Sequence, residues 1–215
     1  MKRTLFLLAT ACLLAGCCHT AKDEPVASSA SAYPNATIET LMARRSIRAY
    51  KEKPVARETM EWITLCGINA PNGMNAQPWE VRIVDNPTFI EQTTALFVTE
   101  MKKDERSAKM VEEPGFKNMY RNAPTVVFIA TKEGGSLIDC GLLAGNMVNA
   151  AQSLGIGSVC LGGPVRFLNG PEAAPFVTQL GFSEGYKLVL AIGFGYPDES
   201  PEAKPRDLSK VKFVE

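Results

Sequence analysis

The chain has 215 residues, 46% hydrophobic and 21% charged, which is enough for one domain with a sizeable core. Its 23 basic and 23 acidic residues cancel to a formal net charge of +0. No whole-chain basic field points to nucleic acid, and no acidic tail marks a solvating arm.

Residues 1–16 read as a signal peptide. Lys2 and Arg3 form a short positive region, and Leu5 to Leu14 is nearly all apolar, too short to span a bilayer. Leu14-Ala15-Gly16-Cys17 resembles the bacterial lipobox, which predicts processing before Cys17 and acylation of its thiol. Residues 17–36 then form the lipidated cysteine and a tether rich in Ala, Ser, Pro and charge, leaving 37–215 as the folded domain. The expectation is an exported bacterial lipoprotein, held to a membrane by its lipid alone and facing the periplasm or the cell exterior.

Of six cysteines, Cys66, Cys140 and Cys160 fall in the domain. They are far apart in apolar surroundings without CxxC spacing, and read as small buried hydrophobes. The single histidine, His19, falls in the tether. The domain therefore has no His-based triad, His-ligated zinc or His general base. An enzyme built on it draws its reactivity from a cofactor or from other side chains.

Along the domain, Thr37 is expected to cap a short helix carrying Ile38, Leu41 and Met42. Residues 56–69 predict a second helix, ended by Pro71-Asn72-Gly73. Trp79 to Val84 alternates as a strand, and 87–106 reads as an amphipathic helix. Residues 107–123 are polar and carry no clear pattern. Thr125 to Ala130 is a continuous apolar run, hence a buried strand. Ser136 to Leu154 predicts a long helix with small residues at Gly141, Ala144, Gly145, Ala150 and Ala151, apolar nearly all round and so buried on more than one side. Ile156 to Leu161 and Lys187 to Gly193 read as strands, with 171–180 helical between them. The polar, Pro-rich stretch from Tyr196 ends in Val211, Phe213 and Val214, an arm suited to packing on a partner subunit.

Four segments carry chemistry. Arg44, Arg45, Ser46 and Arg48 place guanidinium forks and a hydroxyl together, a donor set matched to phosphate oxygens. A solvated basic surface has the same composition. The Ala70 to Glu80 loop offers side-chain amides from Asn72, Asn75 and Gln77, which both donate and accept. Ser153 to Pro164 runs an apolar strand into Gly162-Gly163, where a flat ring can approach the backbone. It is no GxGxxG fingerprint, and no GxxxxGK[ST] occurs, which excludes Rossmann and P-loop readings. Lys204 and Arg206, two apart around a proline, project to one side of an extended chain.

In this order and spacing, the segments resemble the nitroreductase family of FMN enzymes, over roughly residues 37–211. Arg44, Arg45, Ser46 and Arg48 match the family's opening phosphate-binding motif. Pro71, Asn72, Gly73 and Asn75, followed by Gln77-Pro78-Trp79, match its "PSSxNxQPW" loop, with Asn72 and Gly73 in place of the two serines. Leu161, Gly162 and Gly163 match the segment that passes the flavin ring, and Lys204 and Arg206 the late basic pair that returns to the phosphate.

The resemblance implies an α+β fold, a mainly antiparallel central sheet flanked by helices, in an intertwined homodimer. FMN sits at the subunit interface, with the 71–75 loop acting across it and the 136–154 helix at the dimer centre. It further implies ping-pong transfer of two electrons from a reduced donor, NAD(P)H or another carrier such as a quinone, to a nitroaromatic, quinone or similar electron-poor acceptor. The chemistry is then the flavin's, with no protein nucleophile or base and no metal, and Arg48 tunes the ring. Two rival readings are a flavin-binding lipoprotein that relays electrons without turnover, and a non-enzymatic envelope module without cofactor.

Overall fold

The computed structural model describes residues 33–215. The segments read as signal peptide, lipidation site and most of the tether, with Cys17 and His19, lie outside the described residues.

Helix α1 (Ala36–Ala43) starts one residue before Thr37. Asn35 caps it instead, its side-chain oxygen accepting from the Ile38 amide at 3.0 Å. Helix α2 (Arg57–Ile68) buries Met60 and Ile63 and leads through a 3-10 turn, Gly73–Asn75, into strand β1 (Trp79–Val84). The helix expected over 87–106 divides in two. Helix α3 (Pro87–Met101) stops, and Asp104 then caps helix α4 (Glu105–Val111), accepting from the Ser107 amide at 2.9 Å. Strand β2 (Thr125–Lys132), helix α5 (Leu137–Ser153, capped by Ser136) and strand β3 (Gly157–Leu161) follow the sequence pattern. Strand β3 runs into Gly162-Gly163. A short helix, α6 (Gly163–Leu168), begins there, with Pro164 in its first turn. The helix expected over 171–180 is a 3-10 turn, Pro171–Ala173, running into α7 (Ala174–Gln179), and strand β4 (Tyr186–Gly195) closes the sheet.

All strand pairs are antiparallel, in the order β1-β2-β4-β3. The central position of β2 explains its unbroken apolar run, because helices cover both faces of the sheet. Val126, Phe128 and Ala130 join one core with Phe89, Phe97, Val165 and Leu168, from α3 and α6. Val127 and Ile129 join the other with Met60, Ile63, Leu143 and Met147, from α2 and α5. Each buried Val, Leu, Ile, Phe or Met among them contributes roughly 1.5–3 kcal/mol. Helix α2 lies so close to α5 that a Cβ on Gly67 would stand 2.4 Å from Met147 Cγ.

The single chain corrects two expectations about burial, for α5 and for the cysteines. Helix α5 buries one side, through Cys140, Leu143, Ala144, Met147, Val148 and Ala151, but leaves Leu137, Ile138 and Leu142 exposed. Ile38, Leu41 and Met42 of α1 and Trp62, Leu65 and Ile68 of α2 are exposed too, as are Leu208, Val211, Phe213 and Val214 in the C-terminal stretch. Only Cys140 of the three domain cysteines is buried. Cys66 and Cys160 are exposed.

Candidate functional site

The Arg44–Lys51 segment has no helix or strand of its own. Its backbone is held between strand β3 and the chain leaving β4. Ser46 bridges Ser158 in parallel, and the Ile47 amide donates to Ser158 O at 3.0 Å. The Lys51 amide donates to Tyr196 O at 3.0 Å, and the Asp198 amide to Ala49 O at 2.9 Å. Glu199 Oε1 accepts from the amides of Arg48 and, at 3.1 Å, Ala49. Tyr50 is buried, and its hydroxyl donates to Ile47 O at 2.5 Å. Burial first, and then the charge of Glu199, push its phenol pKa upward, with Arg48 pulling the other way. Gly157 and Gly195 leave room for this segment: an added Cβ would stand 3.0 Å from Ile47 side-chain atoms and 2.7 Å from Tyr50 Cδ1 respectively.

This packing brings the early and late basic residues together. A cleft of about 130 Å³ is lined by Arg44, Arg45, Ser46, Arg48, Lys204 and Arg206, with Pro201 and the carboxylate of Glu202. Arg45 is partly engaged: its Nη1 donates to Met42 O at 2.7 Å and Arg44 O at 2.9 Å, closing the C-terminus of α1. The Arg206 Nη1 turns back on Lys204 O at 3.0 Å, and the Arg48 Nη1 on Ser46 O at 3.2 Å. Such a concentration of cations at a partly open surface favours a multiply charged anion, and guanidinium forks suit phosphate.

Arg48 also lines a second cavity, of about 370 Å³, with Cys160, Leu161, Gly162 and Gly163. A Cβ on Gly162 or Gly163 would meet nothing within 4 Å, so open space lies against this backbone. Cys160 is accessible there, yet the packing around its thiol raises its pKa, and Arg44 offsets only part of that. It is thus a thiol near neutral pH rather than a thiolate nucleophile.

The far wall of this cavity is the Gly115–Asn122 loop, which carried no clear pattern in the sequence. Asn118 Oδ1 accepts from the amides of Tyr120 (2.9 Å) and Asn122 (3.0 Å), while Asn122 Oδ1 accepts from Lys117 (2.8 Å) and Asn118 (3.2 Å). These bonds hold Arg121 and Asn122 in the left-handed region, at φ 57° and 65°. An arginine there costs on the order of 1 kcal/mol. The local sequence signal for this wall is the pair of asparagines flanking Arg121. A larger and more apolar cavity, about 580 Å³, lies against the same loop and includes none of the sequence-predicted site residues.

The structure does not bring Pro71, Asn72, Gly73 and Asn75 to either the cleft or the second cavity of their own chain. Their loop sits near the start of α5, where the Gly73 amide donates to Asp139 Oδ2 at 3.4 Å. Asn72 Oδ1 accepts from the Gln77 amide at 2.9 Å, which braces the turn. Met74, Asn75 and Gln77 all have positive φ, and Met74 is fully exposed.

Known proteins resemble this chain in sequence and fold. A model of the nitroreductase family matches residues 41–196. An NADPH-flavin oxidoreductase of Vibrio harveyi is 30% identical over 178 residues, covering 80% of this chain and 70% of that protein. Two nitroreductases crystallised with bound FMN superpose closely. That of Desulfitobacterium hafniense has a TM-score of 0.77 and 28% identity, over 85% of this chain and 100% of its own. That of Bacteroides fragilis has a TM-score of 0.75 and 27% identity, over 84% and 100%.

Proposed function

The chain belongs to the nitroreductase family, and on that premise we propose that it is an FMN-dependent oxidoreductase, with NAD(P)H as donor and a nitroaromatic, quinone or similar electron-poor acceptor. The observation that carries this is that Arg48 lines two spaces, a cationic cleft and a glycine-flanked cavity. FMN has the same division, a phosphate at one end and a flat ring at the other.

The residues present fit that group. Arg44, Ser46, Lys204 and Arg206 would hold the phosphate, with Arg45 bracing the segment from behind. Gly162 and Gly163 leave the ring its space, since a side chain at either would enter the cavity. Arg48, between the two, places positive charge where electron density builds on reduction. When bound, FMN supplies two-electron chemistry that alternates between donor and acceptor in a ping-pong cycle.

The functional unit we propose is a homodimer. Support comes from the exposed apolar side chains of α1, α2 and α5 and from the C-terminal Leu208, Val211, Phe213 and Val214. Exposed apolar side chains on three helices and the C-terminal stretch suit burial against a second copy of the chain. The Pro71–Gln77 loop, braced and exposed yet lining neither the cleft nor the second cavity of its own chain, would then complete the partner's site. The lipobox-like Leu14 to Cys17 supports export and anchoring through Cys17.

The test is the visible spectrum of the purified protein, followed by anaerobic addition of NADPH or NADH and then of an acceptor. Flavin bands that bleach with donor and return with acceptor are expected. Colourless protein that takes up no added FMN overturns the proposal. Bound FMN without turnover by any donor favours the electron-relay reading instead.

A further inference from the structure

We propose that Glu199 is a positioning residue for the phosphate cleft. Its carboxylate clamps the Arg48–Ala49 backbone to the C-terminal extension and so sets the early cations in register with Lys204 and Arg206. The inference rests on the FMN reading above.

The early cations sit on a segment whose shape is not set by any helix, and only scattered backbone bonds hold it. Ser46 and Ile47 are tied to β3, and Ala49 and Lys51 to the chain after β4. Between these ties, the adjacent amides of Arg48 and Ala49 both donate to Glu199 Oε1. A carboxylate accepting two amides is a stronger tether than a neutral acceptor. Arg48 is the residue shared by the cleft and the ring-sized cavity, so the clamp acts on the residue common to both. Glu199 also stands shortly before Lys204 and Arg206 in the chain, so one side chain fixes the spacing between both clusters.

Glu199 lines neither of these spaces. It faces a small cavity behind the cleft, with Ile47, Gly157 and Pro201. Among the described residues it forms no ion pair with the cleft's cations. Its work is therefore on the backbone. As a charge, it opposes a phosphate nearby. Removing it without moving anything would strengthen phosphate binding, whereas a positional role requires that removal weaken it. The sign of the effect separates the two.

The experiment compares FMN with riboflavin, which lacks the phosphate, by flavin-fluorescence titration of the full chain stripped of cofactor. Wild type should prefer FMN strongly. Glu199→Ala should cut the FMN-to-riboflavin affinity ratio by about tenfold or more, the scale of one misplaced charge-assisted hydrogen bond. Glu199→Gln, whose amide oxygen can accept from the same amides without the repelling charge, should restore the ratio. An unchanged or increased ratio in Glu199→Ala overturns the proposal. So does an equal loss of riboflavin affinity, which marks a general folding role. Wild type with no preference for FMN defeats the phosphate reading itself, a separate result.

Discussion

Arg44 at the end of α1 and Lys204 in the C-terminal extension line one cleft, although almost the whole domain lies between them in sequence. The antiparallel pairing of β3 with β4 makes this meeting possible. It delivers the chain leaving β4 to the edge against which Ser46 and Ile47 already lie.

Removing a cation from this cleft should release cofactor. Arg206→Ala or Arg44→Ala is expected to weaken FMN binding by about 10- to 100-fold, the equivalent of a charge-assisted hydrogen bond of roughly 1.5–3 kcal/mol. Flavin-fluorescence titration measures it. Full FMN occupancy in both variants would remove the phosphate assignment.

The exposed face of α5 gives a second expectation. Ile138 is 76% exposed in the single chain, so Ile138→Glu should not disturb its fold. A charge within the proposed apolar interface should split the proposed dimer, a shift read by light scattering, and lower FMN occupancy with it. A variant of unchanged mass, or a wild type already monomeric, contradicts the proposed assembly.

Gly195→Ala tests the packing beneath the site. The added Cβ would stand 2.7 Å from Tyr50 Cδ1 and 2.9 Å from Pro124 Cδ. Neither ring can yield as a flexible chain would, and overpacking of this kind costs about 1–3 kcal/mol. Urea denaturation should show that loss, together with weaker FMN retention, because Tyr50 carries the Arg44–Lys51 segment. Unaltered stability would show that Tyr50 moves freely.

Alkaline pH should destabilise the fold through Tyr120. Its buried hydroxyl donates to Thr93 Oγ1 at 2.9 Å, and burial raises its pKa from 10.0 to about 12, the hydrogen bond offsetting part. The folded chain favours the neutral phenol. This contribution is complete below pH 10 and is lost between about 10 and 12, at up to ~1.4 kcal/mol per pH unit. Tyr120→Phe should lower stability at pH 8 by about 1 kcal/mol and flatten the alkaline decline. Equal pH profiles for both proteins would refute this assignment.

The leader reading makes its own prediction. In a bacterial host, Cys17→Ser should abolish incorporation of labelled palmitate and free the domain from the membrane fraction. Single acyl chains bind marginally and stable anchoring needs more than one. Continued membrane association in the variant would point to an uncleaved leader instead.

Sequence alone determined the elements whose cause is local or repetitive. The apolar run of β2, the alternation of β1 and the long α5 were legible because period and length reflect burial directly, and the break after α2 because Pro71 and Gly73 disfavour helix. The site's donor chemistry was legible too, since guanidinium forks and paired glycines are properties of residue type. Tertiary structure decided what depends on neighbours distant in sequence. It brought Lys204 to Arg44, placed the Asn118–Asn122 loop across from Gly162, and left Cys160 exposed on the edge strand β3. It also left one face of α5 bare, and composition cannot distinguish a face that packs on its own sheet from one that awaits a second chain. The physical reason is that side-chain chemistry belongs to each residue, whereas proximity belongs to the pairing of strands, which the chain settles only by folding.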